Sequence, residues 1–395
     1  MISKAHPQEK KALRALQTGG PAPPAIKIQG GKSKPMYQQV MQSLRRNLGD
    51  RETIEPFAGA GSLSLGFRPT QASLFDINPD LASFHTRLIN NPESLRFDPL
   101  DYTFRAGDPI MMENLDTGQM MDIGEVPEEW EDRFGDRPFY MGTKFYELRN
   151  KFNELRYREI TEGLYESERA EKDRLFLLLQ YMTNNGLLRY SPDTPSRASK
   201  YNSSLGGTPL PNIETPFESA YFDTIGKDKV GPGRGIMRGT GNTFRLQKLP
   251  GGEGEWNVDP WSEIMEEWQY VRRPIDELIT GDDIDLEPNR QATFIDPPYH
   301  QELGAHTFFD MSDQERVRAL TETLAGEGMP VVSFNSFTDA IVNPLRDMGL
   351  DIHQLARRDN SGSKASTRGI KPELMAMANI PQDAFQQTWS ELRDL

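Results

Sequence analysis

The feature that most constrains this chain is residues 53–67, TIEPFAGAGSLSLGF, a short apolar strand that runs straight into a glycine-rich turn and out into a helix. ASLFDI (72–77) reads as a second strand, and Asn78 ahead of PDLASFHTRLI reads as an N-cap with proline at the first helical position. Strand, glycine turn, helix, strand, helix is the grammar of a doubly wound α/β sheet. It resumes at TFIDPPY (293–299), followed by a helix near 312–327, a strand PVVSFN (330–335), a helix near 338–348, and LDIHQLA and ELMAMAN as final strands. Upstream, Met36, Val40, Leu44 and Leu48 recur every fourth position, which predicts an amphipathic helix. Residues 1–24, charged and then Pro/Gly-rich, read as a flexible arm. The expected architecture is one Rossmann-like α/β domain (25–97 and 291–395) interrupted by an inserted region at 98–290. Within that region helices are expected at 144–160 and 170–186, the latter stopping on Gly186. Residues 187–256, rich in Gly, Ser and Pro, read as a long loop.

Absences narrow the chemistry. The chain has no cysteine, which removes disulfides, thiolate zinc sites, iron–sulfur clusters and cysteine nucleophiles, including the attack that carbon methylation of cytosine requires. No apolar run approaches the ~20 residues of a membrane helix, and the charged N-terminus does not read as a secretory signal, so a cytoplasmic protein without a metal is expected.

A net charge of −14 argues at first against a polyanionic partner, but the charge is unevenly spread. Residues 98–140 and 251–290 each hold 12 Asp or Glu against 3 Lys or Arg. Residues 184–250 hold 9 basic against 5 acidic residues, and 356–371 hold 5 against 1. Two basic segments in an acidic chain are a candidate phosphate-facing surface.

Two motifs carry chemistry. Gly59 and Gly61, directly after a strand, let backbone approach a ligand, and Asp76 stands where a ribose hydroxyl pair would be gripped. The turn departs from the dinucleotide fingerprint, since Ser64 occupies the third glycine position, and it lacks the Gly-Lys-Ser/Thr of a phosphate loop. The second motif is Asp296-Pro297-Pro298-Tyr299, which ends a hydrophobic strand on two prolines. A carboxylate, a rigid carbonyl and an aromatic plane in four residues can hold a planar amine: Asp296 and the Pro297 carbonyl each accept one N–H, and Tyr299 stacks on the ring. Accepting both hydrogens draws the nitrogen toward tetrahedral geometry and frees its lone pair for attack on a methyl sulfonium.

With both motifs in place the sequence resembles the Dam-like family of DNA adenine amino-methyltransferases. The resemblance begins at Ile28-Gln29-Gly30-Gly31-Lys32 and continues through EPFAGAGS, FDINPDL, FYELRNKFNE with FLLLQYMTNNGLLRYS, FIDPPY with the stretch after it, and RRDNSGSKASTRGIKPELMAMAN. It implies S-adenosylmethionine as cofactor, held by Ile28, Lys32, Phe57, Gly59, Gly61, Asp76 and Asp296, and catalysis by Asp296 with Pro297, Pro298 and Tyr299. It implies double-stranded DNA as partner, bound by a monomer through Arg189, Lys200, Tyr201, Asn202, Arg234, Arg238, Arg245, Ser361, Ser363, Lys364 and Arg368. The sequence departs from the family at Ile28, where relatives are commonly aromatic, and at Lys200-Tyr201-Asn202, where they carry Arg-Tyr-Asn, so no target sequence is carried over. Two other classes stay open: an amino-methyltransferase acting on RNA, protein glutamine or cytosine, and a non-catalytic DNA-binding relative.

Overall fold

The computed structural model describes residues 7–26, 28, 30–97, 109–113, 120–125, 139–183, 186, 188–190, 201, 203, 208–209, 242–245, 257–280, 286–298, 309–359 and 369–381. The helices are α1 (Pro7–Thr18), α2 (Pro35–Leu48), α3 (Ser62–Phe67), α4 (Pro79–Asn90), α5 (Gly142–Thr161), α6 (Glu166–Met182), α7 (Asp259–Ile264), α8 (Ile275–Thr280), α9 (Met311–Gly326) and α10 (Asp339–Asp347). The strands are β1 (Glu52–Glu55), β2 (Ala72–Asp76), β3 (Pro109–Glu113), β4 (Met120–Glu125), β5 (Phe139–Met141), β6 (Thr208–Pro209), β7 (Asn242–Arg245), β8 (Trp268–Arg272), β9 (Gln291–Ile295), β10 (Val331–Ser336), β11 (Asp351–Asp359) and β12 (Gly369–Ala378). The chain divides into two compact units, one of residues 1–10, 26–28 and 92–258 and the other of residues 11–25, 29–91 and 259–395.

The second unit is built on a seven-stranded sheet in the order β11-β12-β10-β9-β1-β2-β8. β8, β2, β1, β9 and β10 are parallel, and β12 runs antiparallel between β10 and β11. From β1 the chain winds outward through β2 to β8, then returns to lay β9 on the other flank of β1 and continues away through β10. Strand order therefore reverses between β1 and β9, and a crevice opens at the carboxyl ends of those two strands. The sheet is covered on both faces, as the burial of β9 at every position requires. On one face α2 turns Tyr37, Val40, Met41 and Leu44 onto Phe67, Phe294, Phe334 and Met375. On the other, Val317, Leu320 and Leu324 of α9 pack on Ile54, Phe75, Ile295 and Val331. Among the described residues no helix is long and apolar enough to cross a membrane.

Local chemistry sets the element ends. Asn78 caps α4 by accepting from the amides of Asp80 and Leu81, and Asp310 caps α9 by accepting from those of Ser312 and Asp313. Gly61, in the left-handed region at φ 67°, turns the chain from the strand into α3.

Three features differ from the sequence reading. The expected arm contains helix α1, in which Ala12 and Ala15 are buried. After it the Ala22 amide donates to the Leu65 carbonyl at 3.0 Å and Trp261 Nε1 donates to the Pro23 carbonyl at 2.7 Å, so this proline-rich stretch is docked. β8 lies inside the span read as insertion yet is the edge strand of the main sheet, paired to β2 from Ala72↔Trp268 to Asp76↔Arg272. The stretch read as one long loop holds β6 and β7, which join β5 in a three-stranded sheet.

The first unit contains that small sheet, the β3–β4 hairpin, and helices α5 and α6, whose Phe152 and Phe176 stack at 5.8 Å. α6 ends at Met182, four residues short of the glycine expected to stop it.

Gly61 generates a prediction. A Cβ there would sit 3.3 Å from Leu74 Cδ1, which is buried in β2, on top of the left-handed backbone. Gly61→Ala should lower unfolding free energy by about 1–2 kcal/mol, read by urea denaturation.

Candidate active site

The crevice of the second unit collects the residues that the sequence singled out. Asp296 follows β9 directly, while Glu55 ends β1 beside it and Asp76 ends β2. The glycine turn lies between β1 and α3, and the Gly59 peptide is gripped from both sides. Its amide donates to Asp76 Oδ2 at 3.0 Å, and its carbonyl accepts the Tyr270 hydroxyl at 2.9 Å. Asp76 Oδ1 accepts the Asn78 amide at 2.8 Å, so the capping segment of α4 also orients it. Burial raises the Asp76 carboxyl above its ordinary range, against the pull of these amides. Tyr270, from β8, lies flat on His85 with ring centroids 4.5 Å apart. Burial drives the His85 imidazole down to about 3, so it serves as a neutral plate beneath the turn. Immediately after Asp76 the apolar side chain of Ile77 is 65 % exposed.

The other half of the crevice centres on Lys32, which is buried although lysine seldom is. Its ammonium lies 2.6 Å from Asp296 Oδ1 and 3.4 Å from Glu373 Oε1. It also sits 5.4 Å from the Tyr37 ring centroid and 5.7 Å from that of Phe334, within cation–π range. The Tyr37 hydroxyl donates to Glu373 Oε2. A buried cation of this kind is stable only with compensating charge, and two carboxylates and two aromatic faces provide it.

Glu55 is the third carboxyl here. Burial pushes it up to about 8, Asp296 adds to the rise, and the Ser64 hydroxyl and amide, at 2.7 and 3.1 Å, pull against it. The hydroxyl of Ser64, the residue at the third glycine position, is therefore committed inside the fold, where it also accepts from Thr53 Oγ1 at 3.0 Å.

The structure thus brings Lys32, Phe57, Gly59, Gly61, Asp76, Asp296, Pro297 and Pro298 into one unit. Phe57 packs edge-on against Phe309, at 6.1 Å. Ile28 belongs to the first unit, where it is half-buried. Tyr299, Lys200, Asn202, Arg234, Arg238, Ser361, Ser363, Lys364 and Arg368 lie outside the described residues. Arg245 is the last residue of β7, with its backbone paired to Phe139. The Arg189 amide donates to Ser203 Oγ at 3.0 Å, which ties that strip of chain down.

Tyr201 corrects the sequence reading. It is 1 % exposed, its hydroxyl accepts from Gln180 Nε2 at 2.9 Å, and Asn153 bonds both its amide and its carbonyl. An aromatic so enclosed anchors the first unit and presents no face to a ligand.

Three functional candidates were missed. Glu373 sits in a strand that otherwise reads as plain apolar core. Ile77 and Tyr270 acquire meaning only from their places beside Asp76 and Gly59. Exposed apolar character directly after a strand-ending carboxylate was the one signal that could have pointed to Ile77.

The family model described as D12 class N6 adenine-specific DNA methyltransferase matches residues 29–195. Over those residues the chain is similar to this family. The match runs through Lys32, the glycine turn and Asp76 and ends before β9, so Asp296 lies outside the matched residues. No curated protein matches this methyltransferase significantly.

The Glu55 carboxyl generates a pH prediction. It keeps its proton to about 8 in the folded methyltransferase, against an ordinary value of 4.5, so between these values the folded state binds more protons than the unfolded one. Through this group stability should be full below about pH 4.5 and fall as pH rises to about 8. Glu55→Gln should flatten that fall in denaturation midpoints measured across pH 5 to 9, and an unchanged slope would refute the assignment.

Proposed function

We propose that this methyltransferase transfers a methyl group from S-adenosylmethionine to the exocyclic amino group of an adenine flipped out of duplex DNA into the crevice. The observation that carries this reading is Asp296-Pro297-Pro298 standing at the strand-order reversal, one strand from the turn that Asp76 and Tyr270 hold. The residues present suit the cofactor. Asp76 offers a carboxylate to a ribose, Ile77 an apolar face to a base, and Gly59 and Gly61, at φ 51° and 67°, bring main chain close without side chains. When bound, S-adenosylmethionine supplies an electrophilic methyl group on a sulfonium.

What the chain's own residues do follows from their chemistry. Asp296 and the Pro297 carbonyl accept the two amino hydrogens, which localises the lone pair on the nitrogen and points it away from the ring. As the N–C bond forms the nitrogen becomes positive, and the Asp296 carboxylate beside it stabilises that charge until the surplus proton leaves. Lys32 fixes the Oδ1 of Asp296, which leaves the direction of the carboxylate determined before the amine arrives. Tyr299, next in sequence, supplies an aromatic ring able to stack on the base. The basic segments 184–250 and 356–371 supply the positive charge that DNA phosphates need. The groups named in the crevice all come from one compact unit of one chain, which supports action as a monomer on DNA.

The test is transfer of labelled methyl from S-adenosylmethionine to mixed-sequence unmethylated duplex DNA, wild type beside Asp296→Ala, with nucleosides separated after digestion. N6-methyladenine should form with wild type and fall by about 10²–10³ with the variant. Methylated cytosine, or no methylated nucleoside at all, would overturn the reading.

A further inference from the structure

Two prolines in succession leave a segment with few handles. Neither Pro297 nor Pro298 has an N–H, so the segment can be gripped only by its carbonyls and by Asp296. Most of its torsions are already spent. Each ring fixes φ, and each residue that precedes a proline is confined to extended ψ, which settles Asp296 and Pro297. The ψ of Pro298 is the remaining free torsion, and it sets where the Pro298 carbonyl points.

That carbonyl is held. Gln314, in the first turn of α9, donates from Nε2 to it at 3.0 Å. Asn335, near the end of β10, donates from Nδ2 to Gln314 Oε1 at 2.8 Å, and its own Oδ1 accepts the Ser336 amide at 2.8 Å. The order of donors is forced. A carbonyl only accepts, so the Gln314 nitrogen must face Pro298; its oxygen then faces Asn335 and demands a donor; and the Asn335 oxygen is left for the Ser336 amide. Only one arrangement satisfies the whole chain. Both side chains are buried, Gln314 at 4 % and Asn335 at 3 % exposure, where an ill-matched amide is costly.

Packing alone does not dictate this pose. A cavity of about 170 Å³ borders the pair, lined also by Thr321, Ser333, Ile341 and Leu345, so Gln314 has room to turn elsewhere. Its base is nonetheless rigid: the Gln314 amide donates to the carbonyl of Asp310, the residue that caps α9.

We propose that Gln314, oriented by Asn335, is the positioning residue that locks the Asp296-Pro297-Pro298 segment in the geometry that receives the target amine. This rests on the reading of that segment as the amine-holding element. Gln314 and Asn335 touch neither cofactor nor base; they act through Pro298, so their loss should slow the methyl-transfer step and spare binding.

The experiment measures single-turnover methyl transfer, S-adenosylmethionine affinity and DNA affinity for the full chain and for Asp296→Ala, Gln314→Met, Asn335→Ala and the double variant Gln314→Met/Asn335→Ala. Gln314→Met keeps the length of the side chain and removes only its hydrogen bonds. It should slow transfer about 10- to 100-fold, with both affinities within about twofold of wild type. Asn335→Ala should slow it less, and the double variant should be no slower than Gln314→Met, because the two act in series. Wild-type transfer by Gln314→Met beside an inactive Asp296→Ala would overturn the inference alone. So would independent, multiplying losses, or affinities that fall in step with the rate, the mark of a merely structural role. Transfer that persists in Asp296→Ala would overturn the reading of the segment and this inference with it.

Discussion

The buried ammonium of Lys32 is the interaction on which the rest of the site depends. A positive charge removed from water must be met by negative charge within a few ångströms, and here the answer comes from two distant parts of the chain, Asp296 after β9 and Glu373 in β12. Three segments, from the beginning, the third quarter and the end of the fold, must therefore agree in position before any of them is stable. The same requirement holds the Asp296 carboxyl in the crevice. One ion pair thus compensates the buried cation and fixes Asp296 in the crevice.

The remaining polar groups divide along the strand-order reversal. On the β2 side, neutral or amide-bound groups hold the glycine turn: Asp76 by main-chain donors, Tyr270 through the Gly59 carbonyl, and His85 kept neutral by its surroundings. On the β9 side lie the charges, with Glu55 between the two and protonated in ordinary conditions. A neutral-sided half suits a nucleoside, and a charged half suits a reacting amine. Had Glu55 been ionised as well, three carboxylates would have crowded one lysine.

Much of this was legible in the residues, for local reasons. The alternation of strand and helix around the glycine turn, Asn78 as a cap and Asp296-Pro297-Pro298 as a strand's end all depend on neighbours in sequence, and the structure has each of them. What was hidden depends on partners far away. β8 sits in an acidic block and differs from a loop only because β2 is there to pair with it. Glu373 opens the otherwise apolar run ELMAMAN, and its role is unreadable until Lys32 and Tyr37 are found facing it. Gln314 and Asn335 are amides on ordinary elements, and only the position of Pro298 gives them a task. Tyr201 differs for the opposite reason: the family resemblance alone pointed it at DNA, whereas Gln180 and Asn153 enclose it. The Pro/Gly-rich stretch before Ile26 likewise looked mobile, although proline carbonyls are good acceptors and Trp261 uses one.

β12 lies inside the sheet, between β10 and β11, although among the described strands it is the last to be synthesised. While the nascent chain lengthens, β10 has an open edge and Lys32 lacks one of its two carboxylates, because Glu373 has not yet left the ribosome. β11, which pairs only with β12, has no place to go either. The N-terminal half can collapse early around the glycine turn, but the sheet closes and the cation is fully compensated in a single late event. The Asp296-Pro297-Pro298 segment thus acquires its final electrostatics only when the sheet is complete, so an unfinished chain holds the glycine turn without the full set of charges around Lys32.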